Sequence, residues 1–543
     1  MVFARRSTTL LAAIIASCAM VLSLTACTSD NKTVVDGQTT VTSNSAGGVA
    51  VFTPSDGITL NQQTPLNKWA KLVPDLAKAL ADAGFKKGDI DHTTSDSLAK
   101  QSRAIQDFVV DHLSNNTTDD SGIAIAPDNM TLLVAPVVEA DASTRQYGDY
   151  ISQNLSTNDA TDGEATSDGE SSEDDSSKDD SSNTESDSTA SDEQAQAVDR
   201  LVSSLKLAKE SGMHVVLLGN SIEGYKPDAF VKFSDAQTIG KLQAEKMVSK
   251  LKLDKASKDN PKYIEVLLPY TAVDEKGNAN DSTFAQEAFR GIWQVLGSYY
   301  QKGVVESPSG TLDGKSTEND WQAVAYDAAK EGSTAKVLDK RLAKTDGQST
   351  LTRIDGIITM NDYIASEVVK ELDDLGYTGS AADINPQITI SGIVGNITGK
   401  KDLSRDAVPD PIKSPENDNA NDSSSSDDDA DEDTSASDKD RDSQWPLVTG
   451  YGAYVSNIPS IVNGKQWMTG MEDRQTIATD IAQACAKLNK DEVLNSMPSI
   501  RNSEVGGVKK IPTISEPLLA VSASNLKSAL IDPGYISLAD AGL

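Results

Sequence analysis

Apolar residues follow two spacings along this chain. Short continuous runs at 48–52, 131–138, 214–218, 264–268 and 354–359 have the length and composition of buried strands. Between them lie longer stretches with an apolar residue every three or four positions. The first, 66–83, puts Trp69, Leu72, Leu76 and Leu80 on one face. Others follow at 95–113, 197–212, 237–251, 282–295, 321–339, 364–375 and 475–488, and two more strand-like segments stand at 387–392 and 446–450. Strands alternating with amphipathic helices predict an α/β architecture with parallel sheets and helices on both faces.

Two stretches break the alternation and carry most of the charge. The 543 residues include 82 acidic and 49 basic side chains, a formal charge of −33. From Asp159 to Glu193 there are 14 acidic residues and one lysine; from Glu416 to Asp442 there are 12 against Lys439 and Arg441. These runs hold −23 of the −33, lack apolar periodicity and fall where loops belong, so both read as solvated, disordered insertions. Such insertions cost little stability, because closure entropy grows only logarithmically with loop length. Asp427, Asp429 and Asp431 have the 1-3-5 spacing of an EF-hand loop. Glu432, however, sits where glycine is needed, and Asp438 where a bidentate glutamate belongs. No metal site or cofactor is expected. The acidic balance also argues against a nucleic-acid partner.

The N-terminus reads as an export signal: Arg5 and Arg6, an apolar stretch over 10–24 that is short for a membrane span, then Leu24-Thr25-Ala26-Cys27. That ending looks like a bacterial lipobox, which would make Cys27 the lipidated residue and place the protein on the outer face of the cell membrane. A polar tether follows. With Cys18 in the signal and Cys27 acylated, only Cys485 remains; its apolar helical setting (Ile477, Ile481, Leu488) reads as a buried structural thiol.

Four segments follow one another in order: Phe230-Val-Lys-Phe233-Ser-Asp235 with Gly240-Lys-Leu242-Gln243-Ala244; Thr359-Met-Asn361-Asp362; Asn463-Gly464-Lys-Gln466-Trp-Met468-Thr469; and Pro517 to Lys527 with Asp532-Pro-Gly534-Tyr535. Together they resemble the sugar-binding proteins of ABC importers with the type I periplasmic-binding-protein fold, in the xylose and multiple-sugar branch. With both acidic insertions set aside, the resemblance covers the chain from about Val49 onward. It implies two Rossmann-like lobes with parallel sheets, a three-crossing hinge and a ligand cleft between the lobes. The expected division is a signal over 1–27, a tether over 28–48, and a first lobe over 49–232 containing the acidic insert 156–196. A second lobe follows over 233–471 with insert 402–444, then a return to the first lobe over 472–505 and a final segment, 506–543, completing the second lobe.

The resemblance also implies site residues. Trp321 falls where the family stacks a tryptophan on sugar, and Asn361-Asp362 on a pair whose asparagine contacts ligand. Lys68-Trp69 replaces Arg-Trp, which keeps the charge but loses bidentate geometry. Elsewhere the polar grip has changed: Gly219-Asn220 stands for Asp-Arg, Gly450-Tyr451-Gly452 for Gly-Gln-Asp, Glu472 for a lysine, and Val138 for Asp or Asn. Asn280-Asp281 is a loose counterpart of a further polar run. The plain readings stand beside these. Trp321 and Trp69 also suit helix packing, Asn361 also suits a helix N-cap, and Tyr451 and Glu472 suit surface as well as cleft.

Catalytic motifs are missing from the sequence: there is no G-x-S-x-G, P-loop, H-E-x-x-H or Cys-x-x-Cys. The expectation is therefore a non-enzymatic, lipid-anchored receptor that passes a small carbohydrate to an ABC permease. The alternative is a sensory or surface lipoprotein using the same lobes for a non-sugar ligand or partner.

Overall fold

The computed structural model describes residues 46–56, 65–115, 126–138, 145–157, 184–273, 279–343, 351–381 and 445–542. The described chain begins with β1 (Gly48–Pro54), α1 (Trp69–Asp82), β2 (Ile90–Ser95), α2 (Leu98–Asn115), β3 (Met130–Val134) and β4 (Asn154–Leu155). It continues with α3 (Thr184–Glu210), β5 (His214–Leu218), β6 (Ser221–Ile222) and β7 (Ala229–Lys232). Next come α4 (Ala236–Leu251), β8 (Lys262–Val266), β9 (Leu268–Pro269), α5 (Thr283–Gln301), β10 (Val305–Glu306), α6 (Trp321–Val324) and β11 (Ala325–Tyr326). They are followed by α7 (Ser333–Arg341), β12 (Gly356–Ile358), α8 (Asp362–Asp374), β13 (Leu447–Tyr451), α9 (Ile458–Val462) and β14 (Met468–Met471). The chain closes with α10 (Arg474–Leu488), β15 (Ile500–Val505), β16 (Val508–Ser515) and β17 (Leu519–Ser522).

Two open sheets result, as expected. The first has the order β15-β16-β7-β5-β3-β1-β2 and is parallel except between β15 and β16. Its central strands are apolar and fully buried because both faces are covered. On one face α1 and α10 pack Trp69, Leu72 and Leu76 with Ile477, Ile481 and Cys485. On the other, Ile105 and Val109 of α2 meet Leu201 and Leu205 of α3. The second sheet has the order β10-β8-β12-β13-β14-β17, with only β17 antiparallel. It is sandwiched between α4 and α5 on one side and α7 and α8 on the other. Strand order reverses beside β1 in the first sheet and beside β8 in the second. In open α/β sheets, the carboxyl ends of strands at such points face a ligand crevice.

α4 and α5 approach more closely than side chains allow. A Cβ on Gly240 would run into the Ala288 carbonyl, and one on Gly291 into the Gln237 carbonyl. Each glycine is therefore fixed by the opposing backbone rather than by its own dihedral angles.

Several expectations are corrected. The helix expected over 321–339 is broken: Ala325 and Tyr326 pair with Leu268 and Pro269, and Asp327 accepts hydrogen bonds from Thr271 Oγ1 and Ala329 N. α7 then begins after Gly332 at φ +68°. The strand expected over 131–138 ends at Val134, although Ala135 and Pro136 stay buried. α3 begins at Thr184, inside the first acidic run, where Glu193, Gln194, Ala195 and Gln196 are good helix formers. β16 lies in the first sheet beside β7, so the return to the second sheet comes at β17 rather than at 506. The signal with Cys27, the tether up to residue 45, the segment 387–392, the second acidic run and most of the first lie outside the described residues, and Gly48, the last residue expected in the tether, opens β1. Cys485 is fully buried, and burial pushes its thiol well above the ordinary value.

Gly291→Ala should lower stability by about 1–3 kcal/mol, the usual cost of overpacking a core contact. Urea unfolding measures this, and an unchanged midpoint would show that the two backbones are not in contact.

Candidate functional site

The lobes are joined by three crossings: β7 to α4, β14 to α10, and β16 to β17. One buried carboxyl ties the first two together. Ser234, in the first crossing, donates its N–H (2.6 Å) and its Oγ (2.5 Å) to Oε1 of Glu472, in the second. The Tyr451 hydroxyl, at the end of β13, lies 2.5 Å from Ser234 Oγ. Glu472 N–H donates to Asn67 Oδ1. Burial raises the Glu472 carboxyl from 4.5 to about 7, against the opposing pull of the Ser234 and Tyr451 hydrogen bonds. In the third crossing, burial and a hydrogen bond with Asp480 raise Glu516 to about 7 as well.

The space between the strand ends is occupied by the chain itself, residues 145–155. Gln146 Oε1 accepts from Asn361 Nδ2 (3.0 Å), and its carbonyl accepts from the Tyr454 hydroxyl (2.7 Å). The Tyr147 ring packs against Phe284 at 4.7 Å and Tyr451 at 6.3 Å. Asp149 bridges Lys68 Nζ at 2.7 Å and accepts from the first N–H of α1, that of Trp69. A carboxylate suits that position, because helix N-termini carry unpaired donors and positive potential. Asp56 accepts the next N–H, from Ala70; burial and then the neighbouring Asp149 raise its carboxyl to about 6. The Tyr150 ring stacks on Phe233 (4.7 Å) and meets Trp69 edge-on (5.0 Å), while its hydroxyl donates to the Lys68 carbonyl. Asn220 Oδ1 accepts from Gln153 N, and its Nδ2 donates to the Pro136 carbonyl. Beyond it β4 pairs with β6.

Of the residues expected in the site, Lys68, Trp69, Asn220, Asn361 and Tyr451 therefore gather around this one segment, and Glu472 lies among the crossings beside Tyr451. Asn361 does two jobs: its Oδ1 accepts from Ile364 N as the cap of α8, and its Nδ2 reaches Gln146. Asp362 turns the other way. Its oxygens accept from Tyr454 N, Thr469 Oγ1 and Gln466 Nε2, all in the second lobe, and burial raises it to about 6. Gly450 leaves room for that carboxylate, since a Cβ there would strike it. Asp281 is exposed and accepts from Thr283 N and Oγ1 at the start of α5, which makes it a helix-start residue here. Trp321 packs edge-on against Tyr270 at 5.1 Å within the second-lobe core.

Sequence reasoning missed Gln146, Asp149, Tyr150, Ser234 and Tyr454. One signal was present: Tyr147, Tyr150, Ile151 and Leu155 are the only large apolar residues between 139 and 196. Among the described residues there is no cluster of His, Cys, Asp or Glu that could hold a metal ion. The arrangement offers ammonium, amide and aromatic surfaces for gripping.

Because Glu472 holds its proton more tightly when folded than when unfolded, it contributes stability in acid that is lost as pH rises from about 4.5 to about 7. Glu472→Gln should therefore show a shallower loss of stability over that window, by up to one proton. Urea unfolding at about pH 5 to about pH 8 reads this, and an identical slope would assign the titration elsewhere.

No family model and no curated protein matches the chain. Solved structures do. A solute-binding protein of an ABC transporter from Clostridium phytofermentans, with bound β-D-glucose, is 16% identical; the match covers 91% of this chain and 99% of that one, with a TM-score of 0.44. A carbohydrate transporter solute-binding protein from Chloroflexus aurantiacus, in complex with D-glucose, is 18% identical over 92% and 98%, with a TM-score of 0.42. A periplasmic ribose ABC transporter protein from Conexibacter woesei is 13% identical over 90% and 96%, also with a TM-score of 0.42. At this distance the fold rests on the strand order and register above.

Proposed function

We propose that the protein is an extracytoplasmic solute receptor, anchored through lipid on Cys27, that captures a small carbohydrate and delivers it to an ABC permease. The observation that carries this reading is the convergence of strand carboxyl ends from two lobes on one space beside the crossings. That space is lined by the aromatic faces of Trp69 and Phe233 and by Lys68, Asn220 and Asn361. Sugar binding needs those groups: aromatic faces for the C–H side of the ring, and amides and ammonium groups for its hydroxyls. Hinge motion at the crossings would present both lobe surfaces to a permease only in the closed state. No covalent chemistry is required. No helix among the described residues is long and apolar enough to cross a membrane.

One observation favours the second reading, a sensory or surface lipoprotein. The gripping groups already have partners within residues 145–155.

A thermal-shift screen of the full chain over pentoses, hexoses and short oligosaccharides separates the two. A true ligand at 100 times its Kd should add about 2.7 kcal/mol of stability, and no shift with any sugar would leave the second reading standing. Cys27→Ser should release the protein from membranes into the medium; continued membrane association would sink the lipid anchor.

A further inference from the structure

Residues 145–155 differ from an ordinary surface loop in where their contacts go. Asp149, Tyr150 and Gln153 hold the first lobe, through Lys68, Trp69, Phe233 and Asn220. Gln146 and Tyr147 hold the second, through Asn361, Tyr454, Phe284 and Tyr451. The segment therefore bridges the two lobes alongside the crossings that join them.

Its contacts take up the groups that would otherwise face the cleft: a carboxylate sits on the Lys68 ammonium and the N-terminus of α1, the Tyr150 ring lies on Phe233, and the Gln146 amide pairs with that of Asn361. The turn that lets one short segment face both ways is Gly148. It sits at φ +101°, and a Cβ there would strike the backbone carbonyl and Cβ of Asn67. A positive φ of this kind is open to glycine and strained for other residues. Around this turn Tyr147 and Ile151 enter the second-lobe core while Tyr150 enters the first-lobe core.

We propose that residues 145–155 are a resident occupant of the interlobe cleft, an internal strap that holds the lobes closed and must leave before any solute enters. The first half of this proposal stands on the contacts alone; the second half rests on the solute-receptor reading. The strap sits at the root of the first acidic run, between β3 and α3. A solute would have to compete with it, so the apparent affinity is the intrinsic affinity reduced by the fraction of molecules whose strap is out.

The test uses the full chain and two variants. Gly148→Val removes the pivot. Gln146→Ala with Tyr454→Phe weakens the polar attachment to the second lobe, deleting the Asn361 and Tyr454 hydrogen bonds while leaving the aromatic packing in place. Small-angle X-ray scattering without ligand reads lobe opening, and titration with D-glucose and D-ribose reads access. The strap predicts a larger radius of gyration in both variants, and an apparent Kd lowered by about 10-fold or more if fewer than a tenth of wild-type molecules are open. A radius equal to that of the wild type in the double variant overturns the strap, whatever the titration gives. If Gly148→Val fails to fold, the double variant alone decides. Opening without binding of either sugar leaves the strap standing and counts against the carbohydrate reading.

Discussion

The carboxyl of Glu472 is the constraint on which the geometry between the lobes depends. Two of the three crossings meet there, and the groups that meet are a carboxyl, a serine N–H, a serine hydroxyl and a phenol, all removed from water. Burying a charge in such a place is expensive, which is why the carboxyl holds its proton to near neutrality. The strand ends above it carry Tyr451, and the loop beneath it carries Asn67, whose carbonyl receives the turn of residues 145–155 at Asp149 N–H. A shift of this one carboxyl would therefore move the hinge, the floor of the cleft and the segment filling it together.

Much of the fold was legible in the chain because parallel strands buried on both faces leave continuous apolar runs; 214–218 matches its strand residue for residue. The edges were not. β2 reads Ile-Asp-His-Thr-Thr-Ser and is largely exposed, so no apolar pattern marks it. The interruption after Trp321 was hidden because Val324, Ala328, Ala335 and Leu338 keep a helical period through a turn. At the site, the oddity of Glu472 was visible as a reversed charge, but its partner Ser234 lies 238 positions away and no local rule joins them. Asn361 was readable as a cap and as a cleft residue, and it is used as both cap and interlobe donor. Asp362, its neighbour, was misread because one step along a helix start turns the side chain from the cleft to the core.

Asn220, Tyr451 and Lys68, three of the residues expected to grip a ligand, touch residues 145–155. Asn220 has its oxygen and its nitrogen committed, to Gln153 and Pro136. Tyr451 fills space against Tyr147. Lys68 is balanced by Asp149 at short range, and both are mostly shielded from solvent. Each of these groups is matched by a partner within the chain.

The way the first sheet is finished has a consequence for biosynthesis. β7, its fifth strand in chain order, waits for β16 as a neighbour, and the face packed by α1 waits for α10. At about 5–20 residues per second, tens of seconds of synthesis separate them. Until the C-terminal residues arrive, the N-terminal half has an unpaired strand edge and a bare apolar face, the two features that recruit chaperones and cause misassembly. The lobe that begins first is thus sealed only when β16 arrives near the C-terminus, and a chain truncated before residue 508 would leave it open.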